Sequence, residues 1–261
     1  MRQRILTGIL ICIAVFFPLY YGGLLFKLLL TFIISVGGYE LYRVNKKKWP
    51  PILLVIMIFF LLAIGFLDSS LSLALISVYL IILFTVSVGF EWFDTYDLSY
   101  VFMTTTMLGL AVNAAVQITN TTITGRMPIF YIVLVTVLAT DSGAYFGGTL
   151  FGKHKLAPRI SPNKTIEGSI TGYFFGLAVS LLFGLLVMVP RTSYTSEFIV
   201  IASVLMPIVG QLGDLAFSSI KRYYKIKDFG FIFPGHGGVL DRIDSVVFNL
   251  LLFNFLLVIL G

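Results

Sequence analysis

Stretches of about 20 consecutive, mainly apolar residues recur from one end of this chain to the other. Each is long enough to cross the hydrocarbon core of a bilayer as an α-helix. Only 11% of the 261 residues are charged and 58% are hydrophobic, whereas a soluble domain carries about 25% charged residues. The pattern predicts an all-α, polytopic integral membrane protein, and it excludes a soluble enzyme with a single anchor.

Nine spanning helices are predicted across residues 1–261, which we interpret as a single integral membrane domain. The basic start is interpreted as a retained first helix, because bulky residues stand where a signal peptide would have its small-residue cleavage site. The nine helices lie near residues 5–20, 23–43, 51–67, 71–89, 98–118, 128–148, 167–189, 196–220 and 239–260.

The lysines and arginines indicate an orientation. With the N-terminus inside, 14 of the 18 basic residues fall in segments on the inner side, within 1–4, 43–48, 153–164 and 221–227. The positive-inside rule therefore predicts an N-in, C-out topology. The net charge of +6 follows from this topology, and nucleic acid is not an expected partner.

Four aspartates interrupt the apolar runs. Asp141 and Asp214 lie in the sixth and eighth predicted helices, and Asp241 and Asp244 open the ninth. Ionisable groups within a membrane are costly and usually functional. One alternative is that Arg242 pairs with a neighbouring acid, but one arginine cannot neutralise four carboxylates. Clustered carboxylates at one depth favour a hard cation, Mg²⁺ above all.

Two basic, glycine-containing loops, at 147–169 and 221–238, precede the seventh and ninth predicted helices. Glycine amides and a helix N-terminus favour phosphate, so we expect "PGHGG" at 234–238 to receive one. His236 is a candidate for contacting phosphate or a metal-bound group, whereas His154 is interpreted as an ordinary loop histidine. Ordinary positive-inside loops would explain the lysines but not the glycines and prolines between them. Glu167, in a first helical turn, needs no reason beyond compensating the helix dipole.

The residues alone thus predict a half-buried site on the cytoplasmic side that holds a divalent metal and several phosphates. Its depth predicts an anionic lipid as one substrate, and its basic loops predict a water-soluble polyphosphate as the other.

Residues 218–245, "SSIKRYYKIKDFGFIFPGHGGVLDRIDS", resemble the signature of the phosphatidate cytidylyltransferases, also called CDP-diacylglycerol synthases. The segment "DSGAYFGGTLFGKHKLAPRISPNKTIEGS" (141–169) is similar to a second polar region of that family. The positions that match the signature are Ser218, Lys221, Arg222, Lys227, Asp228, Pro234, His236, Gly237, Gly238, Asp241, Arg242 and Asp244.

The resemblance implies that CTP and phosphatidate react to give CDP-diacylglycerol and pyrophosphate. It also implies a homodimer with a pair of metal ions near Asp214 and Asp241. From the common depth of the four carboxylates, we expect Asp214 and Asp241 to bind Mg²⁺ directly, with Asp141 and Asp244 assisting. The candidate catalytic residues are Asp214, Asp241, Lys221, Arg222 and His236. The candidate substrate-binding residues are Ser161, Lys164, Lys227, Gly237, Gly238 and Arg242.

Two other functions stay open at this point. A CTP-dependent lipid kinase, such as a polyprenol kinase, has similar polar regions. An anion or nucleotide transporter is disfavoured. The polar groups of a transporter typically lie near the midplane of the membrane, and its two halves often repeat, whereas the polar groups of this chain lie on one side of the membrane.

Overall fold

A computed structural model describes residues 13–120, 128–192, 194–233, 235 and 237–260. Residues 13–21 are helical, and eight further α-helices follow within the described part of the chain. They are α1 (Gly23–Arg43), α2 (Pro51–Phe66), α3 (Ser69–Gly89), α4 (Thr95–Asn120), α5 (Pro128–Phe151), α6 (Ile166–Phe183), α7 (Ser196–Tyr223) and α8 (Leu240–Leu260). The strands β1 (Lys155–Ala157) and β2 (Ser161–Thr165) form an antiparallel pair between α5 and α6.

Seven of the helices in the described part are long and apolar enough to cross a membrane: α1, α3, α4, α5, α6 with its irregular continuation to Arg191, α7 and α8. The helix α2 is shorter, at 16 residues. Large apolar side chains such as Leu24, Val88 and Val258 are exposed on these helices, as suits a surface that faces lipid. The chain is therefore an integral membrane protein. The first half of the first predicted span, residues 5–12, lies outside the described residues.

The chain divides into two compact units, which are described separately. The first comprises residues 1–117 and 226–242, and the second comprises residues 118–225 and 243–261. In the first unit, the Tyr79 ring stacks on Phe60 with 4.3 Å between ring centroids, and its hydroxyl donates to Thr105. The amide of Asn113 donates to the carbonyls of Ile64 and Leu67. These buried polar contacts fix α4 against α2 and α3.

In the second unit, α5 and α6 pack through small residues. Gly168, Gly172 and Gly176 recur every four residues on the buried face of α6. Because these glycines have no side chain, the backbones of the two helices approach closely, as in other small-residue helix pairs in membranes. A Cβ added at Gly172 would lie 2.7 Å from the Thr140 carbonyl oxygen of α5. The closeness of this pair fixes where Asp141, the next residue of α5, stands.

The β1–β2 hairpin was not predicted from the sequence. Strand β2 is a polar segment without apolar alternation, "SPNKT", so it carries no strand pattern. It is held by backbone hydrogen bonds to β1 and by the Ile166 amide, which donates to the His154 carbonyl. The Thr165 hydroxyl then caps α6 by accepting from the Gly168 amide. The hairpin therefore delivers the chain directly into α6.

Candidate active site

A cavity of about 470 Å³ in the second unit is formed by α5, the β1–β2 hairpin, α6 and α7. Ala144, Tyr145 and Leu156 supply apolar surface in its wall. The polar residues that line it include Asp141, Asn163, Lys164, Ser169, Gln211 and Asp214. Three residues predicted from the sequence, Asp141, Lys164 and Asp214, therefore meet in one cavity.

Asp214 is the centre of the polar contacts in this cavity. Its Oδ2 atom forms an ion pair with the Lys164 ammonium group, and its Oδ1 atom accepts a hydrogen bond of 3.3 Å from the Ser218 hydroxyl. The side chains of Asp214 and Lys164 are both 29% exposed, so both remain accessible from the cavity. The arrangement places a carboxylate suited to a cation directly beside an ammonium group suited to a phosphate.

Asp244 lies close enough to Asp214, Asp141 and Lys221 for their charges to interact. Its Oδ1 atom also accepts a hydrogen bond of 2.7 Å from the Ser245 amide. Lys221 stands one turn beyond Ser218 on α7 and is buried, with 8% exposure. The second unit thus brings three of the four predicted carboxylates, together with the predicted lysines Lys164 and Lys221, into one electrostatic neighbourhood.

The chemistry of this donor set fits Mg²⁺, because the carboxylates offer hard oxygen ligands. Among the residues that the structure describes, no three His, Cys, Asp or Glu side chains converge as a metal cage. Mg²⁺ is commonly bound through one or two carboxylates together with substrate phosphates and water, so it does not require such a cage. Asp214, Asp141 and Asp244 are the residues of this unit that would hold it.

The hairpin places two further predicted residues at the edge of the site. Arg222, in the last turn of α7, donates from Nε to the Ile160 carbonyl at 3.1 Å, directly before half-buried Ser161.

Glu167 does more than compensate a helix dipole, since its carboxylate accepts from the backbone amides of Lys153 and His154. It also lies 2.6 Å from Nδ1 of His154, which confirms His154 as a hydrogen-bonded loop residue.

In the first unit, Asp241 is tied to the loop that precedes α8. Its Oδ2 atom accepts from the amides of Phe229 and Gly238, at 2.9 and 3.0 Å. The amides of Val239 and Leu240 donate to the carboxylate of Glu40, at 3.0 and 2.9 Å. Two carboxylates of the chain thus accept from the amides at the start of α8, and the expectation that "PGHGG" at 234–238 receives a phosphate stays a prediction.

The remaining predicted residues of the first unit surround this loop. Gly237 has a φ of +83°, a conformation that favours glycine. Lys227 is exposed and lines a second cavity with Arg43 and Phe231, and Arg242 is exposed in the first turn of α8. Pro234 and His236 lie outside the described residues, so the role of His236 stays a prediction.

Sequence reasoning missed Glu40 and the pair formed by Ser169 and Gln211. The Ser169 hydroxyl donates to Gln211 Oε1 at 2.5 Å, and Gln211 Nε2 donates back to the Ser169 carbonyl at 3.3 Å. This pair joins α6 to α7 in the cavity wall. Glu40 carried a usable signal, since it is an acid within an apolar helix, and such acids usually have a function.

Comparison with known proteins shows which family the chain belongs to. A model of the cytidylyltransferase family matches residues 2–260. A protein named phosphatidate cytidylyltransferase from Bacillus subtilis (strain 168) is 36% identical over 267 residues, which cover 98% of this chain and 97% of that protein. Proteins of the same name from Staphylococcus saprophyticus (strain ATCC 15305) and Staphylococcus aureus (strain COL) are 36% and 34% identical, over 99% of both chains in each case. The resemblance of residues 141–169 and 218–245 is thus confirmed over nearly the whole length, and the chain belongs to the cytidylyltransferase family.

Proposed function

We propose that the chain transfers a cytidylyl group from CTP to phosphatidate, giving CDP-diacylglycerol and pyrophosphate. The observation that carries this proposal is the similarity, over 98% of the chain or more, to proteins named phosphatidate cytidylyltransferase. The cavity in the second unit supports it, because Lys164 and Asp214 place a phosphate-binding group beside a cation-binding group. The names of the relatives favour cytidylyl transfer over the kinase and transporter alternatives.

In this reaction, an oxygen of the phosphatidate phosphate attacks the α-phosphorus of CTP. The bond between the α-phosphorus and the oxygen bridging to the β-phosphorus breaks, and pyrophosphate leaves with the electron pair. The nucleophile is already an anion, so no strong protein base is required. Catalysis then consists of positioning the two substrates and offsetting their negative charge.

The residues of the second unit suit this task. Lys164 faces the cavity and would bind a phosphate oxygen, while buried Lys221 adds positive charge beside Asp244. When bound at Asp214, Asp141 and Asp244, Mg²⁺ would offset charge on phosphate oxygens. Whether a second ion binds, and whether Asp241 is a ligand as the resemblance implies, remain predictions.

The proposed enzyme has nine spanning helices with its N-terminus inside and its C-terminus outside, in a bacterial cell membrane. Support comes from the distribution of basic residues, from the match between predicted and observed helices, and from the bacterial relatives. The active site then faces the cytoplasm, where CTP is available. A reporter that is active only outside the cytoplasm should therefore be active when it is fused to the C-terminus. The proposed enzyme is also a homodimer, which light scattering in detergent should detect.

The proposed function is tested with purified protein in detergent micelles. CTP, phosphatidate and Mg²⁺ together should release pyrophosphate, and omission of any one should stop the release. The Asp214→Asn variant keeps the shape of the side chain and removes its charge, so it serves as the inactive control. Pyrophosphate release that is independent of phosphatidate would contradict the proposal.

A further inference from the structure

Glu40 is an ionisable side chain buried in α1, with an exposed fraction of only 1%. A buried carboxylate persists where its oxygens are hydrogen-bonded. Oε1 accepts from the Val239 amide at 3.0 Å, and Oε2 accepts from the Leu240 amide at 2.9 Å. Both oxygens therefore bind the first amides of α8, where the helix dipole also favours negative charge.

The loop before α8 is shaped around this carboxylate. A Cβ added at Gly230 would lie 2.8 Å from Cδ of Glu40, and one added at Gly238 would lie 2.6 Å from it. One turn further along α1, the Arg43 guanidinium lies over the Phe231 ring, 5.0 Å from its centroid. The end of α1 therefore holds the loop at residues 230, 231 and 238–240, close to both of its ends.

This contact determines where the Asp241 carboxylate stands. Asp241 follows Leu240 directly, and its Oδ2 atom accepts from the amides of Phe229 and Gly238. One donor, Phe229, directly precedes Gly230, and the other, Gly238, is itself packed against Glu40. Displacement of Glu40 would release the helix start and the loop together, and the Asp241 side chain would lose the framework that fixes its direction.

We infer that Glu40 is a positioning residue for Asp241, acting through the described residues of the loop at 229–240 to hold the Asp241 carboxylate in its working orientation. The inference rests on the proposed function, in which the family resemblance assigns Asp241 to metal binding. Residues that orient a metal ligand commonly change metal affinity or activity by about 10–100-fold when they are replaced. Glu40 should therefore control the Mg²⁺ requirement without touching substrate.

Glu40→Gln is the sharpest substitution, because it preserves the size of the side chain. Glutamine offers one acceptor oxygen, and its NH₂ group can only donate. In the geometry of these two contacts, the NH₂ group of glutamine would face one of the two amides, a donor against a donor. The matched control is Asp94→Asn in the same unit, since Asp94 also accepts from two amides at a helix start, those of Tyr96 and Asp97.

The first measurement is hydrogen–deuterium exchange of the backbone amides, on the full-length protein in detergent without substrate. Glu40→Gln should raise exchange by about tenfold or more at residues 239 and 240, whose amides donate to Glu40, and at residues 229 and 238, whose amides donate to the Asp241 carboxylate that Glu40 positions. Asp94→Asn should leave exchange there unchanged. Unchanged exchange in Glu40→Gln would overturn the inference, whatever reaction the protein catalyses.

The second measurement is the Mg²⁺ dependence of pyrophosphate release. The Mg²⁺ concentration for half-maximal activity should rise about tenfold or more in Glu40→Gln and stay unchanged in Asp94→Asn. A lower maximal rate with an unchanged Mg²⁺ dependence would make Glu40 a purely structural residue and overturn the inference. Absence of pyrophosphate release in the wild type would refute the proposed function alone, and the exchange experiment would still decide whether Glu40 holds the loop.

If Glu40→Gln does not accumulate in the membrane, Gly230→Ala displaces the same carboxylate from the loop side. Its added Cβ should produce the same increase in exchange and the same shift in Mg²⁺ dependence. Gly89→Ala is its control, because a Cβ there meets nothing within 4 Å. Wild-type values of both quantities in Gly230→Ala would contradict the role assigned to Glu40.

Discussion

Replacing Gly172 by alanine tests whether the close packing of α5 and α6 builds the active-site cavity. The added Cβ would lie 2.7 Å from the Thr140 carbonyl oxygen, 2.8 Å from the Ala144 Cβ and 3.1 Å from the Ala144 amide nitrogen. Ordinary contact begins at 3.4 Å, so the first of these distances is short by about 0.7 Å. None of these atoms is the end of a flexible side chain, so α5 itself must move.

The cost follows from these distances. Overpacking of this kind destabilises a folded protein by about 1–3 kcal/mol, while alanine is the better helix former by about 1 kcal/mol. Relative to the wild type, the net loss for Gly172→Ala should therefore be about 0–2 kcal/mol, or up to roughly 8 °C in the apparent Tm at about 2–4 °C per kcal/mol. Activity should also fall, because Asp141 follows Thr140 on α5 and lines the cavity.

The loss of stability is measured by heating the protein in detergent and monitoring the monodisperse peak in size-exclusion chromatography, which disappears as the protein unfolds. Gly89→Ala is the control for the added methyl group, because it meets no atom within 4 Å, and as the last residue of α3 it gains less helix propensity than an interior position. Its Tm should equal or slightly exceed that of the wild type. A Gly172→Ala protein as stable and as active as Gly89→Ala would refute the close α5–α6 contact and its role in placing Asp141.

Three further predictions concern individual charges. Asp214→Asn should insert normally and lose turnover, and near-normal activity at saturating Mg²⁺ would contradict its assignment as a metal ligand. Lys164→Met and Arg222→Gln should each lower kcat/KM about tenfold or more, whereas residues that only set topology would give kinetically silent variants. The Lys48 ammonium group, which binds Asp94, holds the pKa of that carboxyl below its usual range. The ion pair stabilises the fold at pH values above the pKa that Asp94 has in the unfolded chain, and this stabilisation is lost as the pH falls through the lowered pKa of the folded state. Because Lys48→Met removes the ion pair, the Tm of the variant should fall less than the Tm of the wild type between about pH 5 and 3.

The spans were predictable because hydropathy constrains a membrane helix so strongly. The predicted spans at 23–43, 51–67, 128–148 and 239–260 lie within three residues of the observed α1, α2, α5 and α8 at both ends. Backbone groups in lipid must be paired within the helix, so an apolar run of this length has few alternatives. The hairpin at 155–165 escaped prediction because its stability comes from backbone contacts with neighbouring segments, which no local pattern encodes.

The sequence predicted which residues line the site, but it did not predict which of them contact one another. Asp141, Lys164 and Asp214 were selected as polar groups beside or within apolar spans, and they do line one cavity. The pairing of Lys164 with Asp214 joins residues 50 positions apart and leaves no trace in either local sequence. Glu40 binds amides about 200 residues away, so only the folded chain reveals that an internal carboxylate accepts from the amides at the start of α8.

The position of the label transferred from CTP tests the proposed reaction most directly. Purified protein is given phosphatidate, Mg²⁺ and CTP labelled at either the α- or the γ-phosphorus. Cytidylyl transfer predicts that label from the α position enters the lipid, that an equal amount of pyrophosphate appears, and that a chelator stops both. Label entering the lipid only from the γ position would show a kinase. Label that enters no lipid and crosses the membrane of sealed vesicles as intact CTP would show a transporter, and either result would contradict cytidylyl transfer.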